Sequence, residues 1–146
     1  MREIKYIAGG SFLDDRGEVS FVNGFSFENI KRFYTVSNHC TGFVRAWHGH
    51  KKEAKHCIAV NGSFLVCAVK VNNWHAPSTD LPIQKFVLSV HNPGMLSIPA
   101  GYVNGFMSLT PQAKILFFSS SPLEVSLGDD IRFPARHWDP WSLEER

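Results

Sequence analysis

Several things are scarce in this 146-residue chain. Only three cysteines occur, Cys40, Cys57 and Cys67, and none sits in a C-x-x-C pair. An odd count without pairing spacing argues against a disulfide framework and for reduced thiols half-buried in strands. The net charge is only +2, which gives no case for nucleic acid as a bulk electrostatic partner. A local basic cluster would still suffice to hold one phosphorylated small molecule. No apolar run approaches the roughly 20 residues of a membrane span. The opening Met1-Arg2-Glu3-Ile4-Lys5-Tyr6 has no apolar h-region, so no signal peptide is expected. No membrane partner is expected, and the cytoplasm is the expected compartment. No long stretch keeps a clean 3.6-residue apolar period. Repeats, low-complexity tracts and linkers are also missing, so one domain spanning 1–146 is expected.

What is present is strand signal. Short runs rich in β-branched and aromatic residues cover 19–22, 32–36, 43–47, 57–60, 64–71, 84–90, 95–98, 105–109 and 115–119. Turn-forming Gly, Asn, Asp and Pro separate them. Asn61-Gly62 between two such runs predicts a tight hairpin, because both residues tolerate positive φ. Residues 72–81, with Pro77 inside and Pro82 just after, read as an exposed loop. Many short strands at even spacing point to an all-β sandwich or barrel that closes to hide its edges. The barrel core is expected over residues 12–120 and a tail over 121–146. The Trp- and Pro-rich end, from Arg132 to Arg146, is expected to pack across the surface or onto a partner subunit.

The chemistry concentrates in Arg45-Ala46-Trp47-His48-Gly49-His50, followed by Lys55. Histidines at i and i+2 on a strand share a face. Lys55 lies at odd spacing from both, and a turn or bulge between Lys51 and Ala54 would bring it to their side. Two imidazoles beside a cation in a barrel mouth form an arrangement for moving protons. Histidine titrates near ~6.5, so it can take and return a proton near neutral pH. A cation at a carbonyl oxygen makes the neighbouring C–H acidic without metal. Arginine suits diphosphate through its bidentate fork. Trp47, Tyr102 and Phe106 are candidates to stack on a base or sugar, with core packing as their simpler role. His39, His56, His75, His91 and His137 show no ligand spacing and read as structural.

These motifs resemble a known family. Gly42-x5-His48-x-His50-x4-Lys55-x6-Gly62 has the spacing of the first cupin motif, with Lys55 where that motif carries its acidic metal ligand. Pro99-Ala100-Gly101-Tyr102-Val103-Asn104 fits the second motif, with Asn104 in place of its histidine. With two of four donors gone and one now a cation, the site reads as free of metal and other cofactors. Arg45 to Lys52, Asp14-Asp15-Arg16-Gly17, Pro99 to Phe106 and Asp129 to Phe133 resemble segments of the metal-free cupins that isomerise nucleotide-linked 4-keto-6-deoxy sugars. The likeness runs from about Phe12 to Trp141. It implies a double-stranded β-helix, or jelly roll, assembled as a homodimer through an edge strand, with a nucleotide sugar as substrate and a role in deoxysugar or polysaccharide biosynthesis.

Two branches of that resemblance compete. The dTDP-4-dehydrorhamnose 3,5-epimerases match better in the Pro-Ala-Gly-Tyr and Asp-Asp-Ile-Arg segments. They imply His48 as the base, Lys55 as the enolate stabiliser, and Arg16 and Arg45 on the diphosphate. The sugar 3,4-ketoisomerases match better in length and in His-x-His-Lys-Lys, and imply that both His48 and His50 shuttle protons. The epimerase's catalytic tyrosine falls on Phe117, and a phenyl ring donates no proton. A second acid would then come from His50, Tyr34 or Tyr102. A non-catalytic sugar-nucleotide-binding module and a metal-dependent cupin oxygenase are the other classes open to such a barrel.

Overall fold

The computed structural model describes residues 2–146; Met1, the first residue of the expected domain, lies outside them. Strands follow in chain order: β1 (Lys5–Ala8), β2 (Gly10–Asp14), β3 (Gly17–Phe21), β4 (Arg32–Ser37), β5 (Val44–Gly49), β6 (Lys55–Asn61) and β7 (Ser63–Lys70). After these come β8 (Gln84–Ser89), β9 (Gly94–Ile98), β10 (Tyr102–Ser108), β11 (Lys114–Ser119), a short helix α1 (Leu123–Leu127) and β12 (Ile131–Arg132). The nine expected strand runs all lie on strands. β1, β2, β12 and α1 went unread, because each is short and lacks a clear apolar alternation.

Two five-stranded antiparallel sheets face each other, in the orders β1-β9-β6-β11-β4 and β12-β5-β10-β7-β8. This is the expected jelly roll, with the main core between the sheets. Alternate residues of each strand fill it: Cys57 from β6, Phe64 and Val66 from β7, Leu96 and Ile98 from β9, Phe106 from β10, and Ile115 and Phe117 from β11. The second sheet is buried on its outer face as well. Trp138 and Trp141 of the tail cover Trp47, Cys67, Val69 and Val103 there. Trp47 Nε1 donates to the carbonyls of Ala135 and Trp138 at 3.1 and 3.0 Å. The tail thus packs across this chain's own surface, which explains the unbroken burial along β7 and β10.

Asn61-Gly62 departs from expectation. Gly62 does take a positive φ of +65°, yet β6 and β7 do not pair with each other. Instead β6 joins β9 and β11, while β7 joins β8 and β10. The turn is a corner that sends the chain from one sheet to the other. Its partners are non-local: Asn61 Nδ2 donates to the Gln112 carbonyl at 2.6 Å, and the Ser63 amide donates to Thr110 Oγ1 at 3.0 Å.

The β2–β3 hairpin forms a separate two-stranded sheet. It exposes Phe12, Leu13 and Val19 at 73%, 80% and 64%. Phe33 on the outer face of the first sheet and Phe27 in the loop before β4 are also largely exposed. No helix among the described residues is long and apolar enough to cross a membrane.

Candidate functional site

A cavity of about 280 Å³ opens between the two sheets, and charged side chains line much of it. β4 contributes Arg32, Tyr34 and Val36, which share a face by simple alternation. His48 and His50 enter from β5 and its end, Lys55 from β6, Asn104 and Phe106 from β10, and Phe117 from β11. α1 and the start of β12 close one side with Leu123, Ser126, Leu127, Asp130 and Arg132.

Strict alternation would not place Arg45 with His48. A bulge does so. Asn104 of β10 pairs with His48, but Phe106, two residues on, pairs with Arg45, three residues back. The extra residue at Ala46-Trp47 turns Arg45 to the cavity and sends the Trp47 ring to the outer core.

The turn expected between Lys51 and Ala54 is present. Asp129 builds it: its carboxylate accepts from the backbone amides of Lys51, Lys52 and Glu53 at 2.8, 2.9 and 2.9 Å. Its carbonyl accepts from His50 Nδ1–H at 2.7 Å. Beyond this turn Lys55 starts β6 and faces His48 and His50 across the cavity. Lys55 Nζ lies 2.7 Å from Tyr34 Oη and 2.9 Å from Glu53 Oε2. Glu53 is fully buried and also accepts from Ser119 Oγ at 2.8 Å. Burial alone would raise the Glu53 pKa, but hydrogen bonds from Lys55 and Ser126 and the Lys55 charge outweigh it, and the net direction is down. Burial, then the Arg132 charge, lowers the pKa of His48. The ring is therefore unprotonated near neutral pH, the state a general base requires.

The cavity brings together six of the nine expected site residues, Tyr34, Arg45, His48, His50, Lys55 and Asn104, and Phe117 forms part of its wall. Three lie elsewhere. Trp47 belongs to the outer core. Tyr102 is buried away from the cavity, with its hydroxyl 2.9 Å from Glu3 Oε2. Arg16 sits on the β2–β3 turn, exposed and paired with Asp14. The sequence reading missed Glu53, Arg32 and Arg132. A signal for Glu53 existed, because a lysine destined for burial needs a counter-ion, and the nearest carboxylate stood two residues away. Among the described residues, no group of three or more His, Cys, Asp and Glu converges as a metal would require.

The fold and site together define a jelly-roll cupin whose cavity carries a neutral histidine, a buried lysine and several arginines. The family model described as "FdtA: WxcM-like, C-terminal" matches residues 2–132. The chain belongs to that family. No curated protein sequence matches it significantly. Solved structures share the fold. The dTDP-4-dehydrorhamnose 3,5-epimerase of Bacillus anthracis superposes with a TM-score of 0.78 at 18% identity, covering 98% of this chain and 87% of that one. The QdtA sugar 3,4-ketoisomerase of Thermoanaerobacterium thermosaccharolyticum gives 0.66 at 20% identity, covering 92% and 90%. A 3,4-ketoisomerase from Helicobacter canadensis gives 0.68 at 20% identity, covering 91% and 92%.

Proposed function

We propose that this chain, as a single cupin domain, isomerises a nucleotide-diphosphate 4-keto-6-deoxyhexose by removing a proton next to the ketone, epimerising C3, C5 or both. The observation that carries this is the neutral His48 facing the Lys55–Tyr34 pair across one cavity. His48 takes the proton from the carbon beside the ketone, and the C–H electron pair becomes the enolate. Lys55 donates a hydrogen bond to the enolate oxygen. Return of a proton to the opposite face, from Tyr34 or His50, inverts the centre. Acid–base help of this kind is worth about 10²–10⁴-fold. Arg45 and Arg132 at the cavity wall suit the diphosphate. Solved QdtA with TDP-4-keto-6-deoxyglucose bound has the same fold, which supports this substrate class. We place the enzyme in the cytoplasm, in deoxysugar or polysaccharide biosynthesis, working without metal or cofactor.

A second reading, 3,4-ketoisomerisation, is favoured by two histidines lining one cavity while Phe117 offers no donor. Incubation of dTDP-4-keto-6-deoxyglucose in D₂O, followed by NMR, separates the two. Exchange at C3 and C5 indicates epimerisation, and exchange at C3 with ketone migration indicates ketoisomerisation. A protein that binds the nucleotide sugar and exchanges neither position is a binding module.

We further propose a homodimer. An isolated two-stranded ribbon is marginal in water, and the exposed Phe12, Leu13 and Val19 of β2–β3 match the apolar outer face of the first sheet. Docking of that ribbon on a second copy would carry Arg16 from its exposed turn towards the neighbouring cavity, where it would meet diphosphate.

A further inference from the structure

Glu53 is a carboxylate buried beneath the cavity rather than lining it, and none of the chemistry above uses it. Its side chain has no solvent exposure, whereas those of Lys55 and His50 keep 7% and 8%. One oxygen, Oε2, lies 2.9 Å from Lys55 Nζ and 3.5 Å from His50 Nε2. The other, Oε1, accepts from Ser119 Oγ at 2.8 Å and stands 3.6 Å from Arg32 Nη2. The Glu53 amide is tied to Asp129 at 2.9 Å. Both ends of the residue are therefore fixed, and a fixed carboxylate fixes what it pairs with.

We propose that Glu53 is the positioning residue of this site, holding the Lys55 ammonium and the His50 ring in their working orientation without touching substrate. This rests on the isomerase reading above. The hydrogen-bond count gives the reason. An ammonium has three N–H donors. One goes to Tyr34 Oη at 2.7 Å, while Glu53 Oε2, 2.9 Å from Nζ, holds the ammonium as its buried counter-charge. Held between these two partners, the ammonium keeps N–H bonds for the cavity, where an enolate oxygen would sit. Because Tyr34 Oη accepts from Lys55, its own O–H is free to donate into the same space. His50 Nδ1–H is committed to the Asp129 carbonyl, so Nε2 is the nitrogen that exchanges protons, and Glu53 stands beside it. Without Glu53, the ammonium would have only Tyr34 to orient it, and its N–H bonds would no longer be aimed.

Two measurements on the full chain test this. Glu53→Gln keeps the shape and removes the charge, and Glu53→Asp keeps the charge at shorter reach. Deuterium wash-in on dTDP-4-keto-6-deoxyglucose should slow by about tenfold or more in Glu53→Gln. The KM and the affinity for TDP should stay within about twofold, and Glu53→Asp should recover part of the rate. The second readout needs no substrate. A buried, hydrogen-bonded ammonium exchanges its protons slowly, so the Lys55 NH₃⁺ group should give an ¹⁵N–¹H signal in the wild type and lose it in Glu53→Gln. Persistence of that signal in Glu53→Gln, or wash-in at the wild-type rate, overturns the positioning role. A wild type that exchanges no substrate position overturns the isomerase reading instead, and the ammonium signal still decides whether Glu53 holds Lys55.

Discussion

Tyr34 and Phe117 sit opposite each other on neighbouring strands β4 and β11, with rings 5.2 Å apart and 12° from parallel. The hydroxyl absent at position 117 is thus present one strand away. It lies 2.7 Å from Lys55 Nζ and faces the same cavity. Tyr34→Phe removes one oxygen and keeps the stacked pair. The fold should survive, and turnover should fall about 10²–10⁴-fold if the hydroxyl returns the proton. Steady-state kinetics with a thermal melt of the variant checks both halves.

His48 sets the acid limb of the pH profile. Its pKa in the folded chain lies below the ordinary value of about 6.5, because burial and then Arg132 disfavour the charged ring. A base must be unprotonated to act, so kcat/KM should fall with acid only at pH values under about 6.5. Removing the Arg132 charge, as in Arg132→Gln, takes away the largest of the neighbouring charges that lower it and should move that limb upward. The same shift bears on stability. In the window between the two pKa values the unfolded chain binds the proton more readily, so His48 makes stability decline as pH drops below about 6.5.

Lys55 and Glu53 form a buried pair, and breaking one side leaves the other uncompensated. Lys55→Met alone should destabilise the fold by about 3–5 kcal/mol. Combining it with Glu53→Gln should recover much of that loss, since two neutral groups replace two charges. Urea denaturation of the two single variants and the double variant measures the coupling.

The tail acts as a cover for the second sheet. Trp138 is 1% exposed and packs edge-on to Trp47, 5.5 Å between rings. Trp138→Ala should cost about 3–5 kcal/mol. The cavity lies on the other face of the sheet, so kcat at low temperature should change little in the fraction that remains folded.

Much of this was legible in the sequence because period-two alternation holds along most of the strands. The same-side placement of His48 and His50 follows from it, and the turn that brings Lys55 round was readable as a required break. Arg45 and Trp47 show where legibility ends. Alternation puts them on one face, yet the bulge parts them, sending Arg45 to the cavity and Trp47 outward. A bulge is fixed by pairing with β10, more than fifty residues away, and leaves no local mark. Asn61-Gly62 fails for the same kind of reason. The turn is local and was readable, but the choice between a hairpin and a sheet corner belongs to the long-range partners of β6 and β7.

The most direct test follows hydrogen at the sugar itself. His48→Ala and the wild type are incubated with dTDP-4-keto-6-deoxyglucose in D₂O, and deuterium at C3 and C5 is read by NMR. The wild type should incorporate deuterium, while His48→Ala should bind TDP normally and incorporate about 10²–10⁴-fold more slowly. Incorporation by His48→Ala at the wild-type rate would contradict the assignment of His48 as the base.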